Sequence, residues 1–197
     1  MADAREEHVW TFHAKEQSEQ AIFPADHIPE LYEKLHKLTD VTNVLDLGCG
    51  SGLWYRMFDG YTYTGVDQNQ SMIEEAHKRC PEGNFMLANG MKLPFENGLF
   101  DLIFTAYVLQ HNKHADKNLV VAEMSRVLRP GGYYLCAEVT FTKENYHVAF
   151  TGTPDEFTED FSDGYSFTRS GWVSYMKTFG LEEVWFAEPF LYLFRKV

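Results

Sequence analysis

The sequence predicts an α/β domain built on a doubly wound, mostly parallel sheet of seven strands. Three observations predict it. Short segments rich in apolar, β-branched and aromatic residues recur seven times. Helical spacing fills several of the gaps between them, and a glycine-rich turn closes the first strand.

The elements follow in order. Residues 1–28 have no clean period. Pro29 to Leu38 reads as a helix, with Pro29 in its first turn and Leu31, Leu35 and Leu38 on one stripe. Asn43 to Leu47 is the first strand and runs into Gly48-Cys49-Gly50-Ser51-Gly52, after which Leu53 to Phe58 can start a helix. Tyr61 to Val66 is the second strand. Ser71-Met72-Ile73-Glu74 has the pattern of a capping box and opens a helix that closes before Pro81. Asn84 to Leu87 is the third strand. Phe100 to Thr105 is the fourth, almost wholly apolar as a strand covered on both faces must be. Lys117 to Leu128 has helical spacing and stops at Arg129-Pro130-Gly131-Gly132, and Tyr133 to Val139 is the fifth strand. Ser170 to Phe179 reads as a helix ended by Gly180, a natural left-handed cap. Leu181 to Phe186 and Phe190 to Phe194 flank Ala187-Glu188-Pro189, a link short enough to allow only antiparallel pairing.

No linker divides the chain, so residues 1–197 are expected to form a single domain. Residues 1–40 are expected to form a helical or lid segment, and residues 141–168 an insertion on the substrate side. Hydrophobic residues make up 45% of the 197 and aromatics 16%, enough apolar mass for one core. No apolar run reaches the roughly 18 to 20 residues of a membrane span, and the acidic first residues do not resemble a secretory leader. Cys49, Cys80 and Cys136 are an odd number without metal-like spacing, as expected of free thiols in a reducing compartment. A soluble cytoplasmic protein without membrane partners or a bound metal is the expectation. A net charge of −12, with no Lys/Arg cluster, also argues against nucleic acid as a partner.

Function is most legible at residues 44–52. Glycines at a strand-to-helix turn permit backbone angles closed to other residues and let a ligand approach the main chain. The second strand ends in Asp67, about 20 residues beyond the first glycine of the loop, where a carboxylate can accept both hydroxyls of a ribose. An adenosine-containing ligand is implied. The dinucleotide fingerprint spaces its glycines Gly-x-Gly-x-x-Gly around a pyrophosphate. Here the spacing is Gly-x-Gly-x-Gly, and Asp46 would repel a pyrophosphate while suiting an ammonium and a sulfonium. S-adenosylmethionine, leaving S-adenosylhomocysteine as product, fits better than NAD(P) or FAD.

In these stretches the chain resembles a class I S-adenosylmethionine-dependent methyltransferase. They are residues 44–52, Gly65-Val66-Asp67, Leu93-Pro94-Phe95, Phe100-Asp101-Leu102-Ile103 and Leu128-Arg129-Pro130-Gly131-Gly132. The resemblance covers roughly residues 40 to 140 and is looser to the end. It implies a Rossmann-like sheet of order 3-2-1-4-5-7-6 with strand seven antiparallel. It also implies that Gly48, Gly50 and Gly52 line the methionine part, that Asp67 holds the ribose and that Gln68 lies beside the adenine. Relatives often carry Asp-Ala after the third strand. This chain has Asn89-Gly90-Met91, whose amide oxygen can still accept from the adenine amino group and whose thioether can pack on the purine. Cys49 and Thr105 complete the expected cofactor set.

Methyl transfer from a sulfonium is an in-line displacement in which alignment can supply roughly 7 to 11 kcal/mol. A general base adds about 10²- to 10⁴-fold where the acceptor must lose a proton. The sequence lacks the Asn/Asp-Pro-Pro-Tyr/Phe motif of amino-methylating DNA enzymes, where Thr105-Ala106-Tyr107-Val108 stands instead, and the Pro-Cys of cytosine C5 enzymes. His111 and Tyr107 are the catalytic candidates. Glu138, Tyr146 and His147 are the substrate-side candidates, with Phe150, Trp10, Phe12 and His13 as further aromatic walls. The expected acceptor is a small molecule methylated on nitrogen or oxygen. A peptide or protein acceptor, and a catalytically silent cofactor-binding partner subunit, are the alternatives.

Overall fold

The computed structural model describes residues 33–109, 112, 114–137, 169–187 and 191–197, and all that follows concerns those residues. Seven strands form one sheet: β1 (Asn43–Leu47), β2 (Thr62–Asp67), β3 (Phe85–Leu87), β4 (Phe100–Ala106), β5 (Leu128–Ala137), β6 (Leu181–Ala187) and β7 (Leu191–Lys196). Their order is β3-β2-β1-β4-β5-β7-β6, as the motifs imply. β1 pairs in parallel with β2 and β4, and β3 and β5 extend the parallel set. β7 runs antiparallel to both β5 and β6, since residues 188–190 are too short a link for a crossover.

Besides a helical stretch at residues 33–36, three helices are described: α1 (Gln70–Arg79), α2 (His114–Val127) and α3 (Arg169–Lys177). Alternate side chains of the strands feed two apolar layers. Leu45, Leu47 and Ile103 meet Val120, Val121 and Met124 of α2 and Trp172 and Met176 of α3. Val44, Leu102 and Phe104 face the other way, toward Ile73 and Ala76 of α1 with Leu35, Met57 and Phe58. The sheet is thus covered on both faces, and its order reverses between β1 and β4. Ligands of such sheets sit beyond the strand ends at that reversal. No described helix is long and apolar enough to cross a membrane. Cys49, Cys80 and Cys136 are all buried.

Local readings needed three corrections. The stretch expected to start a helix after the glycines forms only a 3-10 turn, Tyr55–Phe58. Ser71 is not the cap of α1. Asn69 is, its side chain accepting from Ser71 N at 2.9 Å and Met72 N at 3.4 Å, while Glu74 is engaged by Gln70. β5 begins at Leu128 rather than Tyr133, because Leu128 already pairs with Phe100 before the register shifts to Leu102 and Tyr133. Gly132 permits that shift: a Cβ there would lie 2.9 Å from the Asp101 carbonyl. Of the helix expected over Pro29 to Leu38, residues 33–36 are helical, while residues 1–32 and 141–168 lie outside the described set.

Candidate cofactor site

The glycine turn leaves β1 through three left-handed residues, Gly48 (φ 73°), Gly50 (φ 52°) and Gly52 (φ 74°). Gly48 N and Cys49 N both donate to the Val66 carbonyl, at 2.7 and 3.0 Å, so the turn is bonded back onto β2. A Cβ at Gly52 would lie 3.0 Å from Phe85 Cζ and 3.3 Å from Ala76 Cβ, so the missing side chain lets α1 and β3 close against the turn. Ser51 is 1% exposed, and its hydroxyl is buried without a hydrogen-bond partner.

Asp67 ends β2 and reaches back to the turn. Its Oδ2 accepts from Gly50 N at 3.0 Å and its Oδ1 from Asn69 N at 2.8 Å. One carboxylate therefore ties the glycine turn to the entry of α1. Burial pushes its pKa upward, and the backbone bonds oppose that rise. Each oxygen keeps a further lone pair for a ligand hydroxyl. Gln68 is exposed beside it.

Asp46 lies deeper. It is 1% exposed, and its Oδ2 accepts a 2.7 Å bond from the Tyr63 hydroxyl. Burial raises its pKa to about 7, with the Tyr63 bond opposing and the charge of Asp67 adding to the rise. Asp46 is thus closed to open contact and can reach a neighbouring group only through its field. Cys49 is also buried, and desolvation together with the two carboxylates pushes its thiol pKa well above the usual range, which disfavours the thiolate.

The loop after β3 forms the third wall. Asn89 is exposed, and its Oδ1 accepts from Met91 N at 2.8 Å, leaving one lone pair and the amide N–H groups for a ligand. Gly90 and Met91 are half-buried beside it. Glu123 and Arg126 of α2, which sequence reasoning missed, clamp the loop that follows. Glu123 accepts from Leu93 N at 2.7 Å, and Arg126 donates to the carbonyls of Leu93 and Phe95 at 3.0 and 2.7 Å. Two charged residues one helical turn apart, opposite a proline-containing loop, were the available signal.

Among the remaining candidates, Thr105 is fully buried near the end of β4, and its hydroxyl lies 2.8 Å from the Tyr134 hydroxyl. Tyr107 follows β4 with φ 60°, unusual for a residue with a bulky side chain. His111, Glu138, Tyr146 and His147 lie outside the described residues. The structure therefore brings together Asp46, the three glycines, Cys49 and Asp67, with residues 89–91 following β3. Left-handed glycines beneath two carboxylates suit a cationic, phosphate-free adenosine ligand.

Comparison with known proteins agrees. Residues 45–136 match the family described as "Methyltransferase domain". A demethylmenaquinone methyltransferase of Lactococcus lactis is 34% identical over 131 residues, covering 59% of this chain and 50% of that protein. A ubiquinone/menaquinone biosynthesis C-methyltransferase of Desulfotalea psychrophila is 35% identical over 113 residues, covering 54% of this chain and 45% of that protein. The chain thus spans about half the length of these curated relatives. A crystal structure of a SAM-dependent methyltransferase from Methanosarcina mazei shares the fold, with a TM-score of 0.68 at 20% identity over 83% of this chain and 97% of that one. In its motifs and sheet order and by this match, residues 45–136 are similar to a methyltransferase domain, on a fold shared with a solved SAM-dependent methyltransferase.

Proposed function

We propose that this protein binds S-adenosylmethionine at the carboxyl edge of β1 and β2 and transfers its methyl group to a small molecule. The observation that carries the reading is the glycine turn held by Asp67, with Asp46 behind it. Backbone amides and left-handed glycines shape the methionine end, Asp67 takes the ribose, and residues 89–91 take the adenine. The donor supplies a sulfonium with a good leaving group, so the chain's task is to align the acceptor and exclude water.

The expected acceptor atom was nitrogen or oxygen. Relatives named for demethylmenaquinone and for C-methylation add an activated aromatic carbon to that set. A carbon or hydroxyl acceptor must lose a proton, and His111 and Tyr107 are the residues proposed to serve it from the loop beyond β4. Glu138, Tyr146 and His147 are proposed to contact the acceptor. A silent cofactor-binding subunit remains the competing reading.

The test has two steps. S-adenosylmethionine or S-adenosylhomocysteine should raise the melting temperature by about 5 to 11 °C at 100 times Kd, from about 2.7 kcal/mol of linkage, while NAD should not. The protein is then given methyl-labelled donor with quinols, phenols and amines, and label is sought in a small-molecule product. A shift with NAD alone would overturn the cofactor. Donor binding without turnover on small acceptors or cell extract would favour the silent subunit.

A further inference from the structure

Tyr63 has two environments. Its ring packs among Tyr55, Phe58 and Phe85, at centroid distances of 5.1, 5.7 and 5.7 Å. Its hydroxyl leaves that apolar group and crosses from β2 to β1, where it donates to Asp46. The crossing runs over Gly65, which pairs with Asp46 in the sheet. A Cβ on Gly65 would sit 2.8 Å from the Tyr63 oxygen and 2.7 Å from Phe85 Cδ1, so the glycine keeps this path open. The titratable groups that face Asp46 are Tyr63 and Asp67 from β2 and Cys49 from the turn, none of them cationic, while β4 offers Phe104.

We propose that Tyr63 is a positioning residue that holds Asp46 as a proton-exchanging counter-charge, so that binding of the cationic methyl donor drives a proton off Asp46 into solvent. The proposal rests on the cofactor reading above. Asp46 is sealed from water, so its ionised form is favoured only by what the protein or a ligand supplies. With its pKa raised to about 7, near neutral pH the carboxyl is shared between its two protonation states. An ammonium and a sulfonium nearby favour the carboxylate. The proton then leaves the Asp46 carboxyl for the buffer, and no bond of the donor changes. Tyr63 keeps its own proton, because burial and the Asp46 charge push its phenol far upward. By donating to Asp46, Tyr63 favours the ionised form. Its loss should raise the pH at which Asp46 ionises and increase the number of protons released when the donor binds.

The experiment is calorimetric titration of the full chain at about pH 7, in buffers of different ionisation enthalpy. Wild type and Tyr63→Phe are each titrated with S-adenosylmethionine, S-adenosylhomocysteine and methylthioadenosine, which lacks both the ammonium and the sulfonium. A fraction of a proton should be released per donor bound by wild type, a larger fraction by Tyr63→Phe, and none with methylthioadenosine. Donor affinity should fall as pH drops through about 7, and in Tyr63→Phe that fall should begin at higher pH. Asp46→Asn should abolish the release while still folding. Equal release by wild type and Tyr63→Phe, or equal release with methylthioadenosine, would overturn the proposal. Failure of all three ligands to bind folded wild type would instead overturn the cofactor reading.

Discussion

Val108, just beyond β4, rests on Gly48 at the first bend of the glycine turn. A Cβ at Gly48 would collide with Val108 Cγ2 and lie 3.1 Å from Cγ1. The loop after β4 and the loop after β1 therefore close on each other where the reacting end of the donor is proposed to sit. Gly48→Ala should be strained twice, by this contact and by a φ of 73°. The left-handed conformation alone costs roughly 1 to 2 kcal/mol. Lower thermal stability and donor binding weakened by tenfold or more are expected. Adding Val108→Ala should restore part of the stability and leave the φ strain. If Gly48→Ala melts and binds like wild type, the two loops are not packed in this way.

Asp67 is predicted to serve both the turn and the ligand. Its removal frees Gly50 N and Asn69 N as well as the proposed ribose hydroxyls. Asp67→Ala should weaken binding of S-adenosylmethionine by about 1 to 3 kcal/mol, on the scale of lost charge-assisted hydrogen bonds. Asp67→Asn retains one acceptor oxygen and should lose less. Titration of both folded variants with the donor decides this, and wild-type affinity in Asp67→Ala would remove it from the site.

The Glu123–Arg126 pair predicts an effect at a distance. Arg126 Nε meets Glu123 at 2.7 Å, and together they hold the backbone from Leu93 to Phe95 that follows residues 89–91. Arg126→Ala should loosen this loop, raise amide exchange at residues 89–95 and weaken binding of adenosine alone. Because Arg126 pulls the Glu123 pKa down, the stability the pair contributes is present above the unfolded carboxylate range and is lost as pH falls through the lower folded value. Unchanged exchange in the loop would reduce the pair to an ordinary surface contact.

These residues show how far the sequence could be read. The sheet was legible because strand-forming segments, a glycine turn and a short final link each have local signatures. Gly48, Gly50, Gly52 and Asp67 stood out for the same reason, since a glycine-rich turn after one strand and a carboxylate at the end of the next each have a local signature. Tyr63 and Asp46, by contrast, meet only through the register of β1 on β2, and Glu123 meets Leu93 across 30 residues. The bond between the Thr105 and Tyr134 hydroxyls likewise joins two strands 29 residues apart in the chain. Asn69 competed with Ser71 for the cap of α1 and won, since its side chain reaches two amides of the first turn.

The last prediction concerns pH and Asp46. Its carboxyl ionises at about 7 in the folded chain, against a reference value of 3.8. Between these values the folded protein holds more proton than the unfolded one, so stability falls as pH rises through that window. Asp46→Asn cannot ionise and retains an acceptor for the Tyr63 hydroxyl. Its melting temperature relative to wild type should therefore climb from about pH 4 to pH 8, by up to about 4 kcal/mol in stability. Asp101 and Glu123, whose pKa values are lowered, act at lower pH and equally in both proteins, so the difference reports Asp46 together with its coupling to Asp67. The same variant should bind S-adenosylmethionine less well at pH 8, where wild type presents a full negative charge. Greater stability with weaker donor binding would mark Asp46 as a group kept for the ligand at a cost to the fold. A melting difference that stays constant from pH 5 to 8 would show that burial does not disfavour this charge, and the field assigned to Asp46 would have to be abandoned.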